Sequence, residues 1–245
     1  MNLNKCFLTK NRCYIKNEKM DNNKPVGIVV HSTAVNNPYI KRYVQPDKNQ
    51  ADYESIISDI GLNRYNNDWN NSSKSKCVHA FIGLNDNNEV VTYQTLPFDV
   101  CCWGVGRGTK GSYNYNPTAH IQFEICEGEL TDTDYFNKCM KEAQELCAYL
   151  CTLYNLDVSS IVSHKECGAL RYGSAHSDPE HWMNVNGKTM DWFRGEVQAL
   201  INSQQPETVK YCVQVGAYEN EENANKMLEA LKNFGFYGYI TKKEK

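Results

Sequence analysis

Three residues of this chain are of the types and in the places to share one metal ion. His31 closes the apolar run Val26-Gly27-Ile28-Val29-Val30-His31. His164 follows Ser160-Ile161-Val162-Ser163, and Asp178 lies further on, with His176 two positions before it. Two imidazoles and one carboxylate are a sufficient set of protein ligands for a catalytic zinc, whose fourth position is then left to water. Zinc lowers the pKa of such a water to about 7, which makes it a nucleophile at neutral pH. Glu124, near the end of the alternating stretch His120 to Cys126, adds a carboxylate. Each residue alone has an ordinary structural reading, and their joint occurrence is what points to a zinc hydrolase.

Metal ligands need rigid elements behind them. Pro25 opens a strand over Val26 to Val30, and Cys77 to Leu84 reads as a second strand. Asn85-Asp86-Asn87-Asn88 is a turn signal, with Glu89 to Gln94 as the hairpin partner. His120 to Cys126 alternates, and Ser160 to Ser163 is another short strand. A short helix is expected around Asp52 to Ile60. A long one, capped by Thr131 or Asp132, runs to about Tyr154 with Phe136, Cys139, Met140, Ala143, Leu146, Cys147, Leu150 and Leu153 at helical spacing. Met190 to Asn202 is a further helix. Strands interleaved with helices give an α/β domain over residues 25–202, preceded by a polar lead-in at 1–24. Residues 203–209 read as a linker, and 210–245 as a small βαβ unit with its helix from about Asn220 to Phe234. A unit of that size is too small to be stable alone.

Composition narrows the function. A net charge of −3 over 245 residues gives no general attraction to nucleic acid. No apolar run reaches the roughly 18 residues of a membrane span. The first 23 residues lack the apolar core of a secretory signal, so synthesis in a cytoplasm without a signal peptide is expected. Eleven cysteines, an odd number with no CxxC pair, suit reduced buried thiols better than a disulfide framework or a zinc ribbon.

Four segments carry a family resemblance. They are Val29-Val30-His31-Ser32-Thr33-Ala34, Val78-His79-Ala80-Phe81-Ile82, His120 through Cys126, and Ser163-His164-Lys165-Glu166 through His176-Ser177-Asp178-Pro179-Glu180-His181-Trp182. In this order, over residues 25 to 185, they resemble the zinc-dependent N-acetylmuramoyl-L-alanine amidases of the type 2 group. That group shares its fold with peptidoglycan recognition proteins and phage lysins. The resemblance implies a mixed central sheet flanked by helices, with peptidoglycan (stem peptide and glycan strand) as substrate. It implies Zn2+ held by His31, His164 and Asp178, Glu124 as general base, and His176 stabilising the oxyanion. His79 would lie on the substrate side or behind the site, and Trp103 in the loop lining the substrate groove, although burial is an equal reading for both. His120 and His181 are read as structural. Action at the bacterial cell wall after release, through a holin-type lesion for a phage lysin, is the corresponding localisation.

The C-terminal stretch Tyr211-Cys212-Val213-Gln214-Val215-Gly216-Ala217-Tyr218 and the helix after it resemble the first half of a SPOR repeat, a module that binds glycan strands. Half a repeat could pair with a second copy, which would make a homodimer. Two alternatives to the amidase stay open at this level: a non-catalytic peptidoglycan-binding module on the same fold, and a cysteine-dependent wall peptidase using Cys101 or Cys102.

Overall fold

A computed structural model of the protein describes residues 3–204 and 213–242. The chain divides into two units, Met1–Gln205 and Pro206–Lys245.

The first unit is built on a six-stranded sheet. Its strands are β1 (Leu3–Lys5), β2 (Ile28–Ser32), β3 (Ala80–Leu84), β4 (Val90–Gln94), β5 (Ile121–Ile125) and β6 (Ile161–Ser163), in the spatial order β1-β4-β3-β5-β2-β6. Neighbours run parallel except for β3 and β4, so the sheet is mixed, as expected. The antiparallel pair is the hairpin marked by the Asn-rich turn. Asn88 takes a φ of 61° there, and the Asn85 side chain accepts the N–H groups of Asn87 and Glu89.

Alternation sends the two faces of the sheet to different surroundings. Ile28, Val30, Ala80, Ile82, Ile121, Phe123 and Ile125 share one core with the helices α3 (Thr133–Tyr154) and α6 (Met190–Gln204). The Asp132 side chain caps α3 by accepting the Tyr135 N–H, and Asn155 ends it in a left-handed conformation. The inward stripe of α3 is the expected one except in its last turn. There Cys151 is buried and Leu153 points outward. The other face carries Val29, His31, Phe81, Gln122 and Glu124, and loops and short helices cover it. One of these is α2 (Tyr53–Ile60), whose Ile56 and Ile60 pack with Phe81. Parallel pairing sets His31 directly beside Glu124, and Val29 beside Gln122.

Residues 1–24 are not a lead-in. Strand β1 pairs with β4 at the sheet edge, and Cys6, Leu8, Cys13 and Met20 are buried. A short helix α1 (Arg12–Lys16) is capped by Asn11, whose side chain also donates to the carbonyls of Trp69 and Lys76. The segment reads as polar because its apolar residues are scattered one at a time among charged ones. It folds because β4 would otherwise present an open edge.

In the second unit the helix is present as α7 (Glu221–Asn233), capped by Asn220. The expected flanking strands are not formed among the described residues 213–242. Tyr211 and Cys212 of the first lie outside them. Val213, Val215, Phe236 and Tyr237 are exposed, since a strand without a neighbour has no ladder to join. Among the described residues no helix is long and apolar enough to cross a membrane.

Because Leu8 is fully buried, Leu8→Ala is expected to destabilise the protein by about 2–5 kcal/mol, measured by urea unfolding. An unchanged midpoint would return residues 1–24 to the status of a dispensable tail.

Candidate active site

The fold brings His31, His164 and Asp178 together. One ligand atom from each lies within 4.8 Å of the others, and all three residues are buried. His31 sits inside β2 rather than beyond its end. His164 opens the helix α4 (His164–Leu170), whose start is fixed by a capping box. The Ser163 hydroxyl accepts the Glu166 N–H, and the Glu166 carboxylate accepts the Ser163 N–H. Asp178 lies in the turn before α5 (Glu180–Val185), and its carbonyl accepts the Lys165 N–H at 3.2 Å.

Second-layer hydrogen bonds decide which nitrogen of each ring faces inward. The Asn114 side-chain oxygen accepts the N–H groups of Gly104 and Val105, which fixes its amide. That oxygen also accepts from Gln122 Nε2 at 2.9 Å, so Gln122 Oε1 is turned to His31 Nε2 at 3.1 Å. Oε1 can only accept, so His31 carries its proton on Nε2. Gly104 has no Cβ for a reason: one would stand 2.2 Å from Gln122 Oε1. At His164, Ser174 donates its single hydroxyl proton to Val105 O at 2.9 Å. His164 Nε2, 3.2 Å from the same hydroxyl oxygen, is therefore also a donor. Both Nδ1 atoms thus turn lone pairs toward each other at 3.1 Å, with Asp178 oxygens 3.4 and 3.3 Å away.

Acceptors gathered this closely repel one another unless a cation or a proton stands among them. Burial raises the cost of the Asp178 charge, which a cation at this point would offset. The separations are close to those of ligands on one tetrahedral ion, for which bonds of about 2.0–2.2 Å place neighbouring donor atoms roughly 3.3–3.6 Å apart.

Glu124 stands beside His31 across β2 and β5. Its Oε2 is sealed from solvent and has no hydrogen-bond partner. Burial, then the charges of Asp178 and Glu127, push its carboxyl up to about 8, against a smaller opposing pull from Lys76. A carboxyl group with one sealed, unbonded oxygen and a pKa near neutrality is suited to taking up and giving back a proton. His176 is exposed at the rim. Its ring stacks on His164 with centroids 4.2 Å apart, and Nδ1 lies 3.5 Å from Asp178 Oδ1. Partial burial and the neighbouring His164 lower its pKa.

Other candidates fall elsewhere. His79 is fully buried, with Nε2 2.7 Å from the Val100 carbonyl and Nδ1 accepting the Gln122 N–H at 3.0 Å. Burial drops its pKa to about 4, so it is a neutral pin behind the sheet and reaches no substrate. Trp103 is half-buried against the second core cluster, with Lys16 Nζ 5.9 Å from its ring centroid. His120 stacks on Tyr113 and is structural, as read from the sequence. Cys101 and Cys102 are buried, and burial pushes the Cys101 thiol up to about 11 and the Cys102 thiol well above its usual value. Neither suits a nucleophilic thiolate. Gln122, Asn114 and Ser174 escaped the sequence reading, because orienting groups have no spacing of their own. Of these supports only the Ser163–Glu166 capping box has a local sequence pattern by which it could have been found.

The sequence profile of the N-acetylmuramoyl-L-alanine amidase family matches residues 21–181, about two thirds of the chain. The protein belongs to that family and is a peptidoglycan amidase. The SPOR domain profile matches residues 207–245. Among solved structures, the chain is similar to Staphylococcus aureus hydrolase AmiA in complex with its ligand, at 19% identity and a TM-score of 0.54, over 82% of this chain and 83% of that one. It is also similar to the catalytic domain of XlyA, at 24% identity and 0.51, over 80% and 99%. A mutant endolysin from Bacillus subtilis matches at 22% and 0.51, over the same shares. At these identities the structures speak to the fold, which they share. No curated protein matches the chain significantly.

The raised carboxyl of Glu124 has a thermodynamic consequence. Between an unfolded-state value of about 4.3 and its folded value of about 8, the native state holds a proton that the unfolded chain releases. Stability of the metal-free protein is therefore expected to fall as pH rises through that window, by at most about 1.4 kcal/mol per pH unit. Glu124→Gln should remove this slope. Thermal melts of both proteins in chelator from pH 5 to 9 check it, and parallel curves would show that Glu124 is not held protonated.

Proposed function

We propose that this amidase is zinc-dependent, with the ion held by Nδ1 of His31, Nδ1 of His164 and the Asp178 carboxylate. The observation that carries the proposal is the enforced pair of ring lone pairs facing one another beside that carboxylate. Zinc, when bound there, supplies Lewis-acid polarisation of the scissile carbonyl and acidification of water. Glu124 takes the proton of the attacking water and passes it to the departing L-alanine nitrogen, a role supported by its unbonded buried oxygen and raised pKa. His176, whose Nδ1 faces the Asp178 carboxylate, donates from Nε2 to the oxyanion when its ring carries both protons. Residues 207–245 bind the glycan strand, the reading their SPOR match supports. The enzyme acts on the wall after release from the cell that makes it.

Purified protein incubated with peptidoglycan is expected to liberate L-alanine amino termini with the glycan left intact, as read by mass spectrometry. The activity should vanish on chelation and return with zinc. Cleavage that persists through exhaustive chelation would remove the metal from the mechanism. Glu124→Gln is expected to retain zinc while turnover falls by about 10²–10⁴-fold. Near-normal turnover in that variant would transfer the base to another group.

A further inference from the structure

Glu127 is a buried carboxylate beside the site that the mechanism does not use. It is 3% exposed, and its ion-pair partner among the described residues is His181. Its Oε1 accepts from the Ser32 hydroxyl and from the Ala34 N–H at 3.1 Å, and its Oε2 accepts from His181 Nε2 at 3.2 Å. Its backbone is bonded to the same loop, with N–H donating to Thr33 Oγ1 and the carbonyl accepting the Asn37 N–H. Ala34, whose N–H it holds, has a φ of +50°, a conformation that residues with a Cβ seldom adopt. A charge taken out of water, and a strained backbone tied to it, are both costs to stability. Such costs commonly accompany function.

The two things Glu127 joins are the two supports of the metal ligands. Ser32 follows His31 directly on β2, and its N–H reaches Asp178 Oδ2 at 3.4 Å. His181 lies on α5, in the turn of helix that follows Asp178. One carboxylate therefore bonds both the strand end that carries His31 and the helix that carries the Asp178 turn. A comparable tie serves His164, where Glu180 accepts from the Ser163 hydroxyl at 2.7 Å and from Lys165 Nζ at 2.8 Å. That tie is partly in solvent, whereas Glu127 is sealed.

We infer that Glu127 and His181 form a positioning pair that fixes the His31 strand end against the Asp178 turn and so sets the spacing of the ligand atoms. Neither residue touches the metal position or the substrate in this role. The inference rests on the zinc reading above, and it requires a loss of zinc affinity when the pair is broken. Partners one layer behind a metal ligand typically account for about 10–100-fold in affinity.

The test is zinc binding by the full chain, measured by competition with a chromophoric chelator at fixed pH, alongside thermal melts of the metal-free proteins. Glu127→Gln keeps the shape but removes the charge, and His181→Leu removes the donor. Each is expected to weaken zinc binding by about 10–100-fold. His181→Gln, whose amide nitrogen can stand near the lost Nε2, should recover most of that affinity. A merely structural role predicts otherwise: lower metal-free melting temperatures with zinc affinity unchanged in the folded protein. That result, or equal affinity for His181→Leu and His181→Gln, would overturn the inference. If Glu127→Gln does not fold, the two His181 variants, altered at a partly exposed ring, decide the matter. Wild-type protein that binds no zinc would instead overturn the metal reading itself, which this design separates from failure of the pair.

Discussion

Electrostatic convergence is the constraint on which the rest of this site depends. Two imidazole lone pairs and a carboxylate are held within 3.1–3.4 Å of one another. Left alone, such groups would repel, turn outward or take up protons. They stay because each is gripped from behind. Gln122 and Asn114 hold His31, Ser174 and the Ser163 capping box hold His164, and the Lys165 N–H steadies the backbone of Asp178. The orienting groups are themselves saturated, Asn114 Oδ1 by three donors. A polar network of this kind is rigid only when complete.

The sheet makes this affordable by dividing its labour between faces. The face under α3 and α6 is almost wholly apolar and supplies the burial that holds the domain together. The opposite face can then carry His31, Gln122 and Glu124 at successive outward positions of β2 and β5. Parallel pairing without offset sets Glu124 beside His31. Burial between strand and loop raises the basicity of Glu124, while solvent stays within reach of His176 at the rim. The described cysteines fit the same division: all are buried, and they act as small apolar residues.

Much of this was legible in the chain. β2, β5 and α3 declared themselves by apolar runs, alternation and a 3.6-residue stripe, and the Asn-rich hairpin by its turn residues. Residues 1–24 were misread because three-residue strands and single buried side chains leave no periodicity to detect. His79 looked functional by residue type, yet two backbone partners, Val100 and Gln122, consume its ring. Leu153 followed the helical spacing and still faces outward, because in the last turn of α3 the side turned to the core carries Cys151 and Tyr154. The flanking strands of the second unit had the right composition but lack a ladder among the described residues.

The sequence by itself determined the elements and the chemical kit: which strands are buried, where α3 begins and ends, and that two histidines and an aspartate were available to share an ion. These follow from local propensity and from residue chemistry, both of which are written along the chain. Only the tertiary structure decided which ring nitrogen faces inward, that Glu124 lies beside His31, and that Glu127 ties Ser32 to His181. Those facts depend on residues brought together from as far apart as His31 and Asp178. A hydrogen bond between such partners is a property of the packed fold, with no signature in the spacing of either one.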